Sequence, residues 1–379
     1  MRRVLILGAG FGGLAAAAAL RSRLPEQDEV VLVDRKASYV MGLRKWWALV
    51  GRGTLEEGRR DRTALAGRGI RFHQGTVEAI DPAKRSAMVD GNQIEADAII
   101  IALGAQHDVD TVPGLRQHAY NPYEIEAIPG LTQALRDFRG GRLGIGIFGV
   151  PYTCPPAPYE LAMLLREDLD RRGVEAEVEV FSPQPMSLPV LGQENCSTVE
   201  SLLESRGVGF RPSHRAVAVG PGEVQFVTGP RAYDLLLAIP PHRCPTVLAE
   251  AGLTSESGWV RVDLATMGTA FAGVHAIGDA VEIPLANGMS LPKAGVFAEA
   301  GATVAAEAIL AALDGRSSSN RFTGEGYCYL EAGRGEALEV RGDFLAAPMP
   351  RVEVAPPSRE RLKAKEAFER DRLRSWFAA

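Results

Sequence analysis

The run RRVLILGAGFGGLAAAAAL, residues 2 to 20, constrains the fold of this chain more than any other segment. A short apolar strand pattern leads into Gly8, Gly10, Gly12 and Gly13, and then into alanines of high helix propensity. Glycines at such a turn let a pyrophosphate approach the backbone, and the following helix N-terminus offers its N–H groups to it. The next strand pattern, VVLVD, ends on Asp34 with Arg35 behind it, where an acid meets a ribose hydroxyl. A glycine motif alone is weak evidence. Set between strand and helix, with an acid closing the second strand, it specifies a dinucleotide site.

Two later segments narrow the choice of dinucleotide. ADAIIIALGAQ (96 to 106) is a buried strand pattern ending in a turn at Ala102 and Gly104, and VHAIGDAVEI (274 to 283) is another ending on Gly278 and Asp279. The trio resembles the FAD-binding pattern of flavoproteins with two dinucleotide-binding domains. That resemblance implies a hydrogen bond from Asp279 to the ribityl chain. The helix pattern LPKAGVFAEAGATVAAEAIL follows, beginning after Pro292, Lys293 and Ala294. The resemblance places its N-terminus at the flavin pyrimidine ring, where the helix dipole stabilises negative charge on reduction. Lys293 reads either as an added positive charge there or as a solvated lysine.

Between these segments lies a second unit of the same strand–helix order. RLGIGIFGV reads as a strand, APYELAMLLREDLDRRG as a helix, VEAEVEVFSP as a strand, ENCSTVESLLESRG as a helix and YDLLLAIPP as a closing strand. That order is typical of an NAD(P)H domain, yet its phosphate loop is GVPYTCPP. Prolines there remove N–H donors, and side chains block the close approach that glycine allows. The second strand ends FSPQP, with neither an acid for a ribose nor an arginine for a 2′-phosphate. The expected fold class is therefore α/β, with two Rossmann-like dinucleotide-binding domains: an FAD domain and a vestigial NAD(P)H-type domain, followed by a C-terminal extension. The expected boundaries are 1–110 with 245–322 for the FAD domain, 111–244 for the second domain, and 323–379 for the C-terminal region.

The altered loop continues as CPPAPYE (154 to 160), and a late cysteine, Cys328, lies in GEGYCYLEAGRGEA. With the FAD motifs, AIGD and PKAGVFAE, these make the chain similar to sulfide:quinone oxidoreductases and to the flavoprotein of flavocytochrome c sulfide dehydrogenase. The resemblance implies that Cys154 pairs with Cys328 beside the flavin. It implies attack of hydrosulfide on that disulfide, transfer of the electron pair to the flavin by Cys328, and retention or release of the sulfur by Cys154. A helix N-terminus after Pro155 and Pro156 suits a stabilised thiolate. Glu160 reads either as a proton acceptor or as a first-turn glutamate favoured by the helix dipole. Cys196 reads as structural, Cys244 as a weak third thiol candidate, and His242 as a solvated loop histidine or a proton relay. No cysteine precedes position 154, so FAD is expected to be noncovalent, in contrast to the flavocytochrome protein.

Composition sets the remaining bounds. A net charge of −5 gives no reason to expect nucleic-acid binding, and no metal-ligand spacing is evident. No apolar run of membrane-spanning length is expected, and the N-terminus shows no secretory pattern. The expectation is a cytoplasmic enzyme, in peripheral contact with the inner membrane if the tail supplies it. That tail, PSRERLKAKEAFERDRLRSWFAA, is a helix pattern with Leu362, Phe368, Leu373, Trp376 and Phe377 as apolar anchors and seven basic residues against four acidic from 358 onward. It is expected to dock on its own domain, on a second copy in a homodimer, or on a membrane surface. The leading reading is FAD-dependent oxidation of sulfide or a related small sulfur species, with a quinone or other acceptor. An NADH:quinone oxidoreductase-like flavoenzyme and a non-catalytic FAD-binding redox subunit remain as alternatives.

Overall fold

The computed structural model describes residues 1–378. It opens with β1 (Arg3–Leu7), α1 (Phe11–Arg21), β2 (Glu29–Asp34), α2 (Arg44–Leu49), β3 (Ile70–Gln74) and β4 (Ala98–Ile101). β1 lies between β2 and β4, and β2 pairs with β3, all in parallel. Runs of Val, Ile and Leu in β1, β2 and β4 are buried on both faces, as a covered parallel sheet requires. The turn into α1 depends on glycine. Gly8 sits at φ +102°, and a Cβ there would lie 2.3 Å from the Ala102 carbonyl oxygen.

The chain then builds a second parallel sheet from β5 (Gly141–Ile147), α3 (Ala157–Arg171), β6 (Ala176–Phe181), α4 (Gln193–Ser205), β7 (Val208–Arg211) and β8 (Leu235–Ile239). The strand order is β7-β6-β5-β8. It returns to the first sheet at β9 (Val274–Ala276), which pairs with β4 and completes the order β9-β4-β1-β2-β3. α5 (Gly295–Leu313) then packs across α1, close enough that a Cβ at Gly12 would meet the Ala298 Cβ at 3.2 Å. By length and composition α5 could cross a membrane, with a mean hydropathy of 1.6, contrary to the expectation that no run would qualify. Its apolarity has another cause: Phe297, Ala302, Ala305 and Ile309 are core residues of the first unit.

The C-terminal region forms an antiparallel sheet of β10 (Glu325–Glu331), β11 (Ala337–Asp343) and β12 (Arg351–Ser358), followed by α6 (Arg359–Phe377). Ser358 caps α6 by accepting from the Arg361 N–H at 3.3 Å. The apolar anchors of α6 face inward on the same chain. Leu373, Trp376 and Phe377 are buried, Phe368 and Leu362 half-buried, and the Trp376 ring meets Phe11 edge-on at 4.8 Å. Arg372 adds an ion pair to Glu299 at 2.6 Å and lies 3.6 Å over the Phe368 ring.

Candidate active site

A cleft of about 380 Å³ runs along the C-terminal ends of the first sheet. Gly8, Gly10, Gly12, Asp34, Arg35, Ala102, Gly104, Gly278 and Asp279 all line it. Gly10 is the N-cap of α1 with no side-chain cap, and a Cβ there would meet nothing within 4 Å. The first turn of α1 thus presents its N–H groups to open space, which suits a pyrophosphate. Gly13 serves the turn instead, since its Cβ would fall 1.8 Å from the Gly8 carbonyl oxygen. Asp34 is held by the Ala9 and Lys36 N–H groups at 2.8 and 2.9 Å, with lone pairs left for a ribose. Buried Arg62, which the sequence reading missed, donates to the Ala9 carbonyl and lies 3.5 Å from Asp34. These features fit FAD. Lys293 and Ala294 line a smaller recess that shares Gly278 and Asp279 with the cleft.

The second unit meets this cleft through its altered loop. The Cys154 N–H donates to the Lys293 carbonyl at 2.7 Å, and Thr153 Oγ1 donates to Asp279 Oδ2 at 3.1 Å. The Ala157 N–H and the Tyr123 hydroxyl both donate to the Cys154 carbonyl, at 2.9 and 3.4 Å. Cys154 itself is held at φ 53°, a left-handed conformation that costs an L-residue about 1–2 kcal/mol. Four prolines (151, 155, 156 and 158) lack N–H groups, and the Cys154 and Ala157 N–H groups are already bonded. Little is left to hold a pyrophosphate.

Cys154 and Cys328 are brought together from the two ends of the site. Both are unbridged thiols, near enough to hydrogen-bond to one another. That bond holds Cys154 below the ordinary thiol range despite its burial, and pushes Cys328 well above it. Of the reduced pair, Cys154 is thus the thiol more readily ionised, and it also stands just before the N-terminus of α3. The two sulfurs line a chamber of about 50 Å³ walled by Pro155, Leu188, Val190, Pro292, Phe297 and Phe344. At about 10–15 Å³ per water-sized occupant, it has room for a few atoms only. A wider cleft of about 340 Å³ adjoins it, sharing Pro155, Leu188, Val190 and Pro292.

Glu160 lies in the first turn of α3 and is buried there. One carboxylate oxygen pairs with Lys365 Nζ, and the other accepts from the Glu331 N–H at 3.0 Å. Burial raises its carboxyl, and Lys365 acts in the opposite direction. Neither Lys365 nor Glu331 stood out in the sequence.

Other expectations need correction. Lys293 is not solvated: its ammonium is buried against the Asp279 carbonyl at 2.7 Å and lies 3.3 Å over the Trp259 ring, and burial brings it down to about 8. His242 is likewise buried, in a two-residue pairing of Gln106–His107 against His242–Arg243, and burial lowers it to about 3. Such a histidine stays neutral and makes a poor proton relay at neutral pH. Neither Cys244 nor Cys196 lines the chamber: burial raises Cys244 to about 11, and buried Cys196 donates to the carbonyl of Leu188, one of the chamber-wall residues. Lys45, also unremarked in the sequence, donates to the Tyr123 carbonyl at 2.5 Å and is lowered to about 8 by burial.

Residues 2–300 match the model of the pyridine nucleotide-disulphide oxidoreductase family. A mitochondrial sulfide:quinone oxidoreductase from Mus musculus is 22% identical over 364 residues, covering 91% of this chain and 79% of its own. A type II NADH:quinone oxidoreductase from Staphylococcus aureus is 23% identical over 236 residues, covering 57% of this chain and 58% of its own. The crystal structure of the sulfide:quinone oxidoreductase from Aquifex aeolicus superposes with a TM-score of 0.90 at 21% identity, over 100% of this chain and 92% of that one. The fold, including the C-terminal sheet and helix, is shared along the whole length.

Proposed function

The chain belongs to the pyridine nucleotide-disulphide oxidoreductase family, and from that premise we propose that it is a sulfide-oxidising flavoenzyme. In this reading Cys154 and Cys328 take two electrons from sulfide, or from a related small sulfur species, and pass them through noncovalent FAD to a quinone or other acceptor. One observation carries it: two thiols distant in sequence converge in a small apolar chamber, where a nicotinamide-binding unit has given up its phosphate loop.

In the oxidised enzyme the two sulfurs are joined. Hydrosulfide attacks that disulfide, so a bond forms to the incoming sulfur, the Cys154–Cys328 bond breaks, and the other cysteine leaves as a thiolate. The disulfide is the oxidant in this step: the incoming sulfur gives up the electron pair that reduces it. Cys154 holds this sulfur until a second hydrosulfide removes it, which leaves the thiolate–thiol pair. Cys328 must lose its proton before the pair can close again, and Glu160 is the acceptor. Closure of the disulfide then releases two electrons. FAD, held in the cleft by residues such as Gly10, Asp34 and Asp279, would supply the two-electron acceptor for that pair and the link to the second substrate.

A quinone acceptor entails contact with a membrane surface. The apolar side of α6 is turned inward, so the proposal gives that contact to its exposed Arg359, Lys363, Arg370 and Arg374, which suit anionic headgroups.

The test is anaerobic reduction of the bound flavin by sulfide, thiosulfate, NADH and NADPH in parallel. Bleaching by sulfide and not by the pyridine nucleotides supports the proposal. Bleaching by NADH alone would instead favour the relationship to type II NADH:quinone oxidoreductases, and no bleaching by any donor a non-catalytic FAD-binding subunit.

A further inference from the structure

Behind the thiols lies a buried cluster of charges. Glu160, Glu331 and Lys365 are 4%, 1% and 4% exposed. Lys365 Nζ pairs with Glu160 and reaches Glu331 Oε1 at 3.2 Å. Trp47 Nε1 donates to Glu331 Oε1 at 2.5 Å, and Arg52 pairs with Glu331 Oε2. Two carboxylates are thus balanced by two cations, of which only Arg52 reaches solvent. The members come from four separate places: α3, β10, the segment after α2, and α6.

We infer that Lys365 is a positioning residue of the redox site: by ion-pairing Glu160 it keeps that carboxylate charged and fixed in place behind the cysteine pair, so that the C-terminal helix is part of the reaction machinery. The inference rests on the sulfide reading given above.

Three observations favour this over a role as a plain anchor. A buried ion cluster is a poor route to stability, since well-packed apolar residues usually do as well. α6 is already fixed by Leu373, Trp376, the Arg44–Glu369 pair and the Arg372–Glu299 pair. And the cluster is aligned with the chemistry. Glu160 is in the helix that starts behind Cys154, and Glu331 is in the same strand as Cys328. Both thiols feel Glu160 and Lys365 with opposite sign. The groups facing Glu160 are Lys365 from α6, Glu331 and Cys328 from β10, Cys154 from the loop, and Tyr123. Lys365 is the cation among them.

Removing the ammonium takes away the influence that lowers the Glu160 carboxyl, so Glu160 then holds its proton at higher pH and stops accepting one. The experiment compares wild type, Lys365→Met, Lys365→Arg and the double variant Lys365→Met/Glu331→Gln. The double variant deletes one charge of each sign, which serves if the single variant does not fold. Two quantities are followed against pH under anaerobic conditions: the rate of sulfide bleaching of the flavin, and the rate of Cys154 alkylation by iodoacetamide in the reduced protein. Ionisation of hydrogen sulfide is common to all variants, so differences belong to the protein.

The acid limb of bleaching should move up by about one pH unit or more in Lys365→Met, and by less in the double variant, where loss of the Glu331 charge acts the opposite way. It should stay near its wild-type position in Lys365→Arg, and alkylation of Cys154 should not move to higher pH in the methionine variants, because a protonated Glu160 no longer opposes ionisation of the thiol. Folded, FAD-containing methionine variants with an unmoved acid limb, or with Cys154 alkylation moved to higher pH, would overturn the inference. A wild type that sulfide does not bleach would overturn the sulfide reading instead, and the alkylation profile alone would then decide the role of Lys365.

Discussion

The backbone N–H of Cys154 donates to the carbonyl of Lys293 at 2.7 Å, and this bond joins the altered loop of the second unit to the residues that open α5. Its partner bond from Thr153 to Asp279 links the same loop to the cofactor cleft. A thiol held this way is fixed relative to the cleft by main chain, so its side chain need not search for its position. The left-handed conformation of Cys154 is sustained by these contacts, as strained residues at functional sites are.

Replacing Gly10 with alanine should separate cofactor binding from folding. A methyl there meets no protein atom within 4 Å but projects toward the pyrophosphate position. The variant should keep the thermal stability of the FAD-free wild type and lose FAD affinity by about tenfold or more, a difference of about 1.4 kcal/mol. Gly8→Ala should instead lose both, because its Cβ would press on the Ala102 carbonyl at φ +102°. Flavin absorbance per chain and differential scanning fluorimetry of the FAD-free proteins check the pair.

Alkylation should distinguish the four cysteines. In the reduced protein at neutral pH, iodoacetamide should modify Cys154 well before Cys196 or Cys244. The Cys328 hydrogen bond lowers Cys154, whereas burial raises Cys196 and brings Cys244 to about 11. Peptide mapping after timed quenching reads the order.

Much of this site was legible in the sequence, and the rest was hidden for a physical reason. The strand–glycine–helix run, Asp34 and Asp279 are local signals whose geometry follows from neighbouring residues, and they line one cleft. The nearness of Cys154 and Cys328 has no local signal, and only the family resemblance suggested it. Lys365 was one of seven basic residues in a charged tail. Its burial comes from meeting Glu160, 205 residues away, and such a meeting leaves no trace in helix periodicity. Lys293 was open to either reading, and His242 looked solvated because loops usually are. Both are covered where the two units meet.

Acid should loosen the second unit in a defined window. Burial alone would raise the Glu179 carboxyl, but hydrogen bonds from Arg231, Tyr233 and Arg211 more than offset that and bring it to about 2. Its contribution is fully present above the unfolded value of about 4.5 and is lost as pH falls through the folded value near 2. Wild type should lose thermal stability steeply from pH 4.5 downward. Glu179→Gln should start less stable, with a shallower slope, as read by thermal denaturation across that range.

The C-terminal helix should prove to be a structural element of the first unit. Trp376 is 2% exposed and packs on Phe11 and Tyr39, so Trp376→Ala should cost about 3–5 kcal/mol. Denaturant unfolding measures this. A loss under about 1 kcal/mol would mean that α6 is not docked as described.

The central claim is that Cys154 and Cys328 act as one redox pair toward sulfur. Stopped-flow bleaching of the flavin by sulfide, in Cys154→Ser and Cys328→Ser proteins that retain FAD, tests it most directly. The account predicts a fall in rate of about a thousandfold or more in each variant, with no further fall in the double variant, because the two residues work as a unit. Bleaching at the wild-type rate in either FAD-containing variant would contradict it.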